Sequence, residues 1–342
     1  MKKILKIIVI IFIVLFLLGL ILNWLAESYY KQGLEKSNKK EYKNGLYFYS
    51  NAIGLNKRFT KAYFKRGEAK FHLKDFVGAI SDITKAIELG PVNSIYYEYR
   101  GNAKYESGDF NGAIDDYTKT LENRPVDALM YKYRADSKFF LKNPKEAIKD
   151  YNKAIEIRSN DATFYFWRGR SYMALENYEA SLSDFNKAIL LKIDYAEAYD
   201  LRSRIMAFGF NNLNEALADS KKAIELEPNT SDFYTTRAII YRRLSDLESA
   251  FADYNKSIEL DPTNIMAYSN RAYLNGMKNL NKESIEDWNK VLQFDSTNAE
   301  AYYYRGASEL SLNLNAKACA DFINADRLGN KNAKEIIKQY CK

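Results

Sequence analysis

A tyrosine returns every 34 residues along this chain: Tyr29, Tyr63, Tyr97, Tyr131, Tyr165 and Tyr199, then, after one inserted residue, Tyr234, Tyr268 and Tyr302. A fixed period of this size marks stacked structural units, each covering the apolar face of its neighbour. Such arrays expose extended surfaces suited to binding.

With the tyrosine as position 4, nine units follow: 26–59, 60–93, 94–127, 128–161, 162–195, 196–230, 231–264, 265–298 and 299–332. Each predicts two amphipathic helices. In the second unit these are Ala62 to Leu73 and Phe76 to Leu89, with Lys74-Asp75 as the turn and Pro91 as the stop. Pro125, Pro228 and Pro262 recur at that stop, and Pro144 suits the first turn of a second helix, where its missing N–H costs nothing. The extra residue of the sixth unit is expected in the turn Gly209–Leu213. Residues 333–342 predict a short closing helix whose Ile336, Ile337 and Tyr340 cover the last unit.

Three columns are small. Position 8 carries Gly33, Gly67, Gly101, Ala135, Gly169, Ser203, Ala238, Ala272 and Gly306; position 20 is Gly, Ala or Ser throughout; position 27 is mostly Ala. Small residues at facing positions let helices pack closely. Position 24 is large, as in Tyr117, Tyr151, Phe185, Tyr254, Trp288 and Phe322. Position 7 is Arg in every unit but the first, and position 23 is Asp in the same eight. The first unit has Gln32 and Phe48, losing both members together. This pairing predicts an Arg–Asp ladder, within a unit or between neighbours, rather than a row of catalytic carboxylates.

This pattern resembles the tetratricopeptide repeat family: aromatic at 4, small at 8 and 20, aromatic at 24, Ala at 27 and Pro at 32. It covers most of the chain, and departs from the family at position 7, usually Leu and here Arg. The resemblance implies an all-α, right-handed α-solenoid of nine helix-turn-helix repeats with a concave groove. It also implies that the groove is lined by positions 2, 5, 6, 9, 12 and 13 of the first helices. Those positions supply the candidate partner-binding residues Phe64, Phe71, Tyr99, Tyr105, Lys132, Phe139, Phe140, Phe166, Trp167, Arg170, Arg204, Phe208, Tyr273 and Tyr303. Aromatics anchor partners well, although several at positions 6 and 12 are expected to pack inside the array. Some family members clamp the C-terminal carboxylate of heat-shock chaperones with Lys at 5 and Asn at 9; no unit here has both.

The N-terminal segment, residues 1–25, holds an apolar run from Ile7 to Leu22 interrupted by one Gly. Ile4 to Leu25 as a helix spans about 33 Å, enough for a bilayer core. Its length favours an uncleaved single-pass anchor, with Lys6 and Trp24 at the two interfaces. The alternative is a signal peptide cleaved at the small-x-small tripeptide Ala26-Glu27-Ser28, releasing a secreted protein. The basic tip Lys2, Lys3 and Lys6 favours an N-terminus in the cytoplasm and repeats outside, a bacterial inner-membrane protein facing the periplasm. Lys31, Lys36, Lys39 and Lys40 weaken that asymmetry. Antiparallel packing brings Cys319 and Cys341 near each other, so an oxidising compartment would join them; otherwise they are two thiols.

The remaining composition narrows function. Three of the 51 basic residues precede the apolar run, leaving 48 against 44 acidic ones, too even for a nucleic-acid surface. One histidine, His72, and two cysteines are too few for a metal cluster or a His-based nucleophile device. No glycine-rich phosphate loop is present and the repeats consume the chain, so neither cofactor nor catalysis is expected. The expected function is a membrane-tethered scaffold for a peptide or protein partner. A glycan strand or single-stranded nucleic acid is the alternative ligand.

Overall fold

The computed structural model describes residues 2–91 and 93–341. Met1, Val92 and Lys342, which belong to the expected N-terminal segment, second repeat and closing helix, lie outside the described residues. Among the described residues every regular element is helical and none is a strand. The chain divides into two compact units, one ending at Glu176 and one starting at Asn177.

The first unit comprises α1 (Lys2–Asn38), α2 (Tyr42–Leu55), α3 (Thr60–His72), α4 (Phe76–Leu89), α5 (Ser94–Glu106), α6 (Phe110–Asn123), α7 (Ala128–Phe140), α8 (Pro144–Ile157) and α9 (Ala162–Met173). The second comprises α10 (Tyr178–Leu191), α11 (Ala196–Arg204), α12 (Leu213–Leu226), α13 (Ser231–Arg243), α14 (Leu247–Leu260), α15 (Ile265–Met277), α16 (Asn281–Phe294), α17 (Ala299–Ser311), α18 (Asn315–Arg327) and α19 (Ala333–Tyr340). Helices of 13 or 14 residues are marginal alone, so packing of their apolar faces stabilises them.

Local signals set each boundary. Position 15 closes most first helices in the left-handed region, at Lys74, Lys142, Asn211, Ser245, Asn279 and Asn313, with Gly108 doing so in the third repeat. Position 16 then caps the second helix: Asp75 accepts from the Gly78 N–H, Asp109 from Gly112, Asn143 from Glu146 and Asp246 from Ser249. Pro144 stands in the first turn of α8.

Inside a repeat the two helices meet small against large. A methyl group added to Gly101 would lie 2.9 Å from the Tyr117 ring, and one on Gly33 2.5 Å from Tyr49. The position 24 rings of Tyr117, Tyr151, Phe185, Tyr254, Trp288 and Phe322 are buried. The position 4 tyrosines are less so: Tyr63, Tyr97, Tyr131, Tyr234 and Tyr302 are only half-buried. The periodic tyrosine therefore marks a seam, and the deepest ring column is position 24.

The Arg–Asp ladder forms within repeats. Nε and Nη2 of Arg66, Arg100, Arg134, Arg202, Arg237, Arg271 and Arg305 donate to both carboxylate oxygens of Asp82, Asp116, Asp150, Asp219, Asp253, Asp287 and Asp321, at 2.6–2.9 Å. Each guanidinium also lies 5.4–5.6 Å from the position 4 ring of its own repeat in Arg66–Tyr63, Arg134–Tyr131 and Arg202–Tyr199. A third contact reaches back one repeat. Nη1 donates to position 25 of the preceding one: Arg66 to Ser50, Arg100 to Thr84, Arg134 to Thr118, Arg168 to Asn152, Arg202 to Asn186, Arg271 to Asn255 and Arg305 to Asn289. For Arg237 the equivalent residue is Lys221, which has no acceptor to offer.

Three features refine the expectations. First, no break separates the expected N-terminal segment from the first repeat: α1 runs unbroken from Lys2 to Asn38. Its apolar stretch is the one described helix long and apolar enough to cross a membrane. Its C-terminal part is the first helix of the first repeat, with Ala26 wholly buried beside Ala52, Ile53, Phe59 and Ala62. Second, the extra residue of the sixth repeat enters not the turn but the helix end, as a π-helical segment Ile205–Gly209. There Phe210 N–H reaches the Ile205 carbonyl at 3.2 Å. Third, Ile336 and Ile337 of α19 pack on Phe322 and Ala325, but Tyr340 is exposed. Cys341 joins that cluster and is bonded to Cys319, with their Cα atoms 5.5 Å apart.

Two outcomes follow for the ladder. Arg237→Leu and Asp253→Leu should each cost about 3 kcal/mol, because each strands a largely buried partner. The double variant should lose clearly less than the sum in chemical denaturation; additive losses would show that the pair is not coupled. Lys221→Asn should supply the missing third contact and stabilise by about 1 kcal/mol, and an unchanged or lowered midpoint would argue that this contact is idle.

Candidate partner-binding surface

The first helices of the first unit bring most of the expected aromatics into two ring groups, Phe71 with Tyr99 and a continuous path from Tyr105 to Trp167. Phe71 lies 6.4 Å from Tyr99, and Tyr105 6.0 Å from Phe140. Phe140 then meets Trp167 at 5.9 Å, as does Phe139 at 5.8 Å. Arg170 covers the far end, its guanidinium 4.4 Å above Trp167 and 5.4 Å from Phe139. The path is half-buried, and Phe140 is its most open ring at 40% exposed. Phe110, which stacks on Phe140 at 5.1 Å, belongs to it as well. It is at position 17, on the second helix, outside the positions taken from the family pattern.

Two expected groove residues are not at the surface. Phe64 and Phe166 are buried. Phe64 stands 4.5 Å from Tyr96 and 5.4 Å from Tyr99, so position 5 here faces the next repeat's first helix rather than solvent. Lys132, also at position 5, is tied to Asp136 at 2.7 Å and lies over the Tyr133 ring. His72 is exposed and stacks on Tyr42 at 4.5 Å, a packing role.

Beneath the path, the electrostatics are those of a partly dry site. Burial pushes the Asp136 carboxyl above its ordinary range, against the opposing pull of Lys132; Tyr151 donates its hydroxyl to the same carboxylate at 2.7 Å. Burial also raises the Tyr99 hydroxyl to about 12, with the Glu68 charge adding to it. These phenols stay protonated at neutral pH and act as donors.

In the second unit the expected residues are spread over separate places. Arg204 is paired with buried Asp200 at 2.9 Å, and burial raises that carboxyl. Phe208 is on the π-helical segment and is exposed. That segment frees a carbonyl from the helical ladder, and Arg243 of the next repeat takes it, Nη1 donating to the Ala207 carbonyl and Nη2 to Asn211 at 2.9 Å. Tyr273 meets Tyr304 edge-on at 5.5 Å, and Tyr303 packs on Phe322 at 5.7 Å. Among the described residues no group of three His, Cys, Asp or Glu is arranged to hold a metal ion.

Two stretches of the chain match models of tetratricopeptide repeats. A TPR repeat model matches residues 142–175, and a tetratricopeptide repeat model matches 162–192 and 231–264. No curated protein matches the chain in sequence. Among solved structures, a tetratricopeptide repeat protein from Parabacteroides merdae is 21% identical, with a TM-score of 0.57 over 73% of this chain and 99% of its own. The C-terminal part of a TPR repeat-containing protein from Cytophaga hutchinsonii is 18% identical, with a TM-score of 0.54 over 80% of this chain and 97% of its own. The anaphase-promoting-complex assembly Cut9-Hcn1 is 14% identical, with a TM-score of 0.60 over 88% of this chain and 59% of its own. At these identities the likeness is one of fold. Tetratricopeptide repeats generally mediate protein–protein interactions, and the fold is typically a non-catalytic scaffold.

Proposed function

We propose that this chain is a membrane-tethered scaffold that holds a peptide or protein partner on the first-helix surface of its repeats, without chemistry of its own. The observation that carries the reading is the aromatic path from Tyr105 to Trp167 with Arg170 at its end. Closely spaced rings with a cation beside them are the composition of a binding hot spot, where large rigid side chains give contact area at little entropic cost. The surrounding ion pairs keep the path from being a bare apolar strip.

Tethering is supported by α1. The apolar stretch and the first repeat's first helix are one helix, so the repeat packs directly onto the membrane segment's continuation. Cleavage after Ser28 would remove Ala26 from its buried position and Asn23 from its 2.9 Å hydrogen bond with Asn56. The uncleaved anchor is therefore the preferred form. The repeats are proposed to face the periplasm, where the Cys319–Cys341 bond would persist and staple the closing helix.

A photo-crosslinking amino acid at position 140, in native envelopes, should yield a discrete protein adduct that the same group at exposed Lys153 does not. Trp167→Ala should reduce it about tenfold or more, as loss of an anchor does. Equal labelling from both positions, or an adduct with glycan alone, would end the protein-scaffold reading. For orientation, protease added to spheroplasts should digest the repeats, and the denatured, unreduced chain should show no free thiol. Full protection, or two thiols, would overturn the periplasmic placement.

A further inference from the structure

The eighth repeat lacks two side chains that earlier repeats supply to one shared space. Position 12 carries Phe71, Tyr105 and Phe139 in the second, third and fourth repeats. Phe71 and Tyr105 pack against the repeat's own second helix, and Phe71 and Phe139 against the next repeat's position 6. Phe71 lies 5.7 Å from Phe76 at position 17, and Tyr105 lies 5.6 Å from Phe110 at the same position. Phe139 contacts Trp167 at position 6 of the following repeat. In the eighth repeat both bulky positions are given up at once: position 12 is Gly276 and position 17 is Asn281.

The remaining walls are still in place. Tyr304 occupies position 6 of the next repeat, and Trp288 occupies position 24. Their rings stack at 5.6 Å with 14° between planes. What they enclose with Tyr273, Met277, Ser284 and Ser308 is a cavity of about 270 Å³. Its floor is polar but satisfied: Ser284 Oγ donates to the Ala272 carbonyl at 2.9 Å and lies 3.0 Å from Ser308 Oγ, which itself donates to the Tyr304 carbonyl at 3.1 Å. Nothing in it calls for a charge. Its mouth is open, with Tyr273 and Met277 both exposed.

Sterics do not explain the glycine. A Cβ at residue 276 would stand 3.6 Å from Ser284 Oγ and 4.0 Å from Ser308 Oγ, ordinary contact distances. The helix would also be more stable with almost any other residue there. We infer that the cavity is a receptor for a single aromatic side chain of the protein partner, the incoming ring taking the place that Phe71 and Tyr105 fill from within. This rests on the scaffold reading and gives the partner a chemical feature: an exposed Phe, Tyr or Trp.

The test uses the full chain in nanodiscs and N-acetyl-phenylalaninamide as a one-ring probe, read by saturation-transfer NMR. Wild type should transfer saturation to the ring protons. Gly276→Phe, which restores the internal ring, should cut the signal about tenfold, as exclusion of an anchor from its pocket does. Asn281→Phe, which copies Phe76 and Phe110, should do the same by a different substitution. Circular dichroism melts establish that both variants fold, and Lys153→Ala, at an exposed residue away from either surface, should leave the signal unchanged. A probe signal that survives both plugs would overturn the assignment. So would equal retention by wild type of two decapeptide pools differing only in a central Phe or Ala. Because the probe is one ring, failure of the position 140 crosslink with intact probe binding would sink the scaffold reading alone. Success of that crosslink with a plug-insensitive probe would sink the pocket alone.

Discussion

The bidentate Arg–Asp pair is the constraint around which each repeat is organised. A guanidinium offers two parallel N–H donors in a fixed plane, and a carboxylate accepts both only when the two helices are in one register. A slip of one residue along either helix would leave a nearly buried Asp without its guanidinium, with a lysine to fall back on only at Asp82, Asp116 and Asp150 among the pairs described. That penalty is larger than the net worth of the pair when formed, so the ladder contributes more to specifying the fold than to stabilising it. The Asp side chains are 3–11% exposed and the Arg side chains 16–21% exposed in the ladder's salt bridges. Water is thus kept from the acceptor while the guanidinium retains an edge for its third bond. That bond, to Ser, Thr or Asn of the preceding repeat, turns a device within a repeat into one that also fixes the spacing between repeats.

The other columns complete the same arrangement. Small residues at position 8 let the position 24 ring approach, which brings positions 7 and 23 within hydrogen-bond range. The position 4 tyrosine lies under the guanidinium and offers its ring face to a cation already neutralised by Asp. Where the first repeat has Gln32 and Phe48 the Arg–Asp pair is absent although Gly33 still meets Tyr49, and the repeat is held in addition by the continuation of the apolar helix. Its packing on Ala52, Ile53 and Phe59 makes the apolar segment and the first repeat one mechanical piece.

The fold was legible because its determinants are single residue types at fixed spacing. Arg at 7 and Asp at 23 stand out in any register, and so do Gly or Ala at 8. The position 25 acceptor was hidden because Ser, Thr and Asn share only an oxygen, and no one letter recurs. The inserted residue was misplaced for a different reason: loops usually absorb insertions, whereas here a π-helical turn did, and Arg243 compensates the freed Ala207 carbonyl. Position 5 was misjudged because Phe64 is an exposed-face residue in the family pattern but sits against Tyr96 in this chain. The surface aromatics were legible as types and not as a path, since which rings meet depends on how successive repeats pack, and Phe110 joins them from another helix.

Departures from the repeat, more than the repeat itself, point toward function. A column kept in every repeat answers a packing requirement common to all of them. Position 12 is not such a column, since Ser37 and Ala207 are small there too, and Asn315 repeats the Asn at position 17. The eighth repeat joins the two, Gly276 with Asn281, so two side chains that fill one space in the second and third repeats are missing together. An ordinary packing defect of this kind would be costly, since lost contacts around a void are not regained. The loss is offset if a ring from outside completes the cluster, and the free energy of that completion then appears as binding. On this view the same stacked architecture supplies two modes of recognition: a broad aromatic path in the first unit, and in the second a single socket left open by its own sequence.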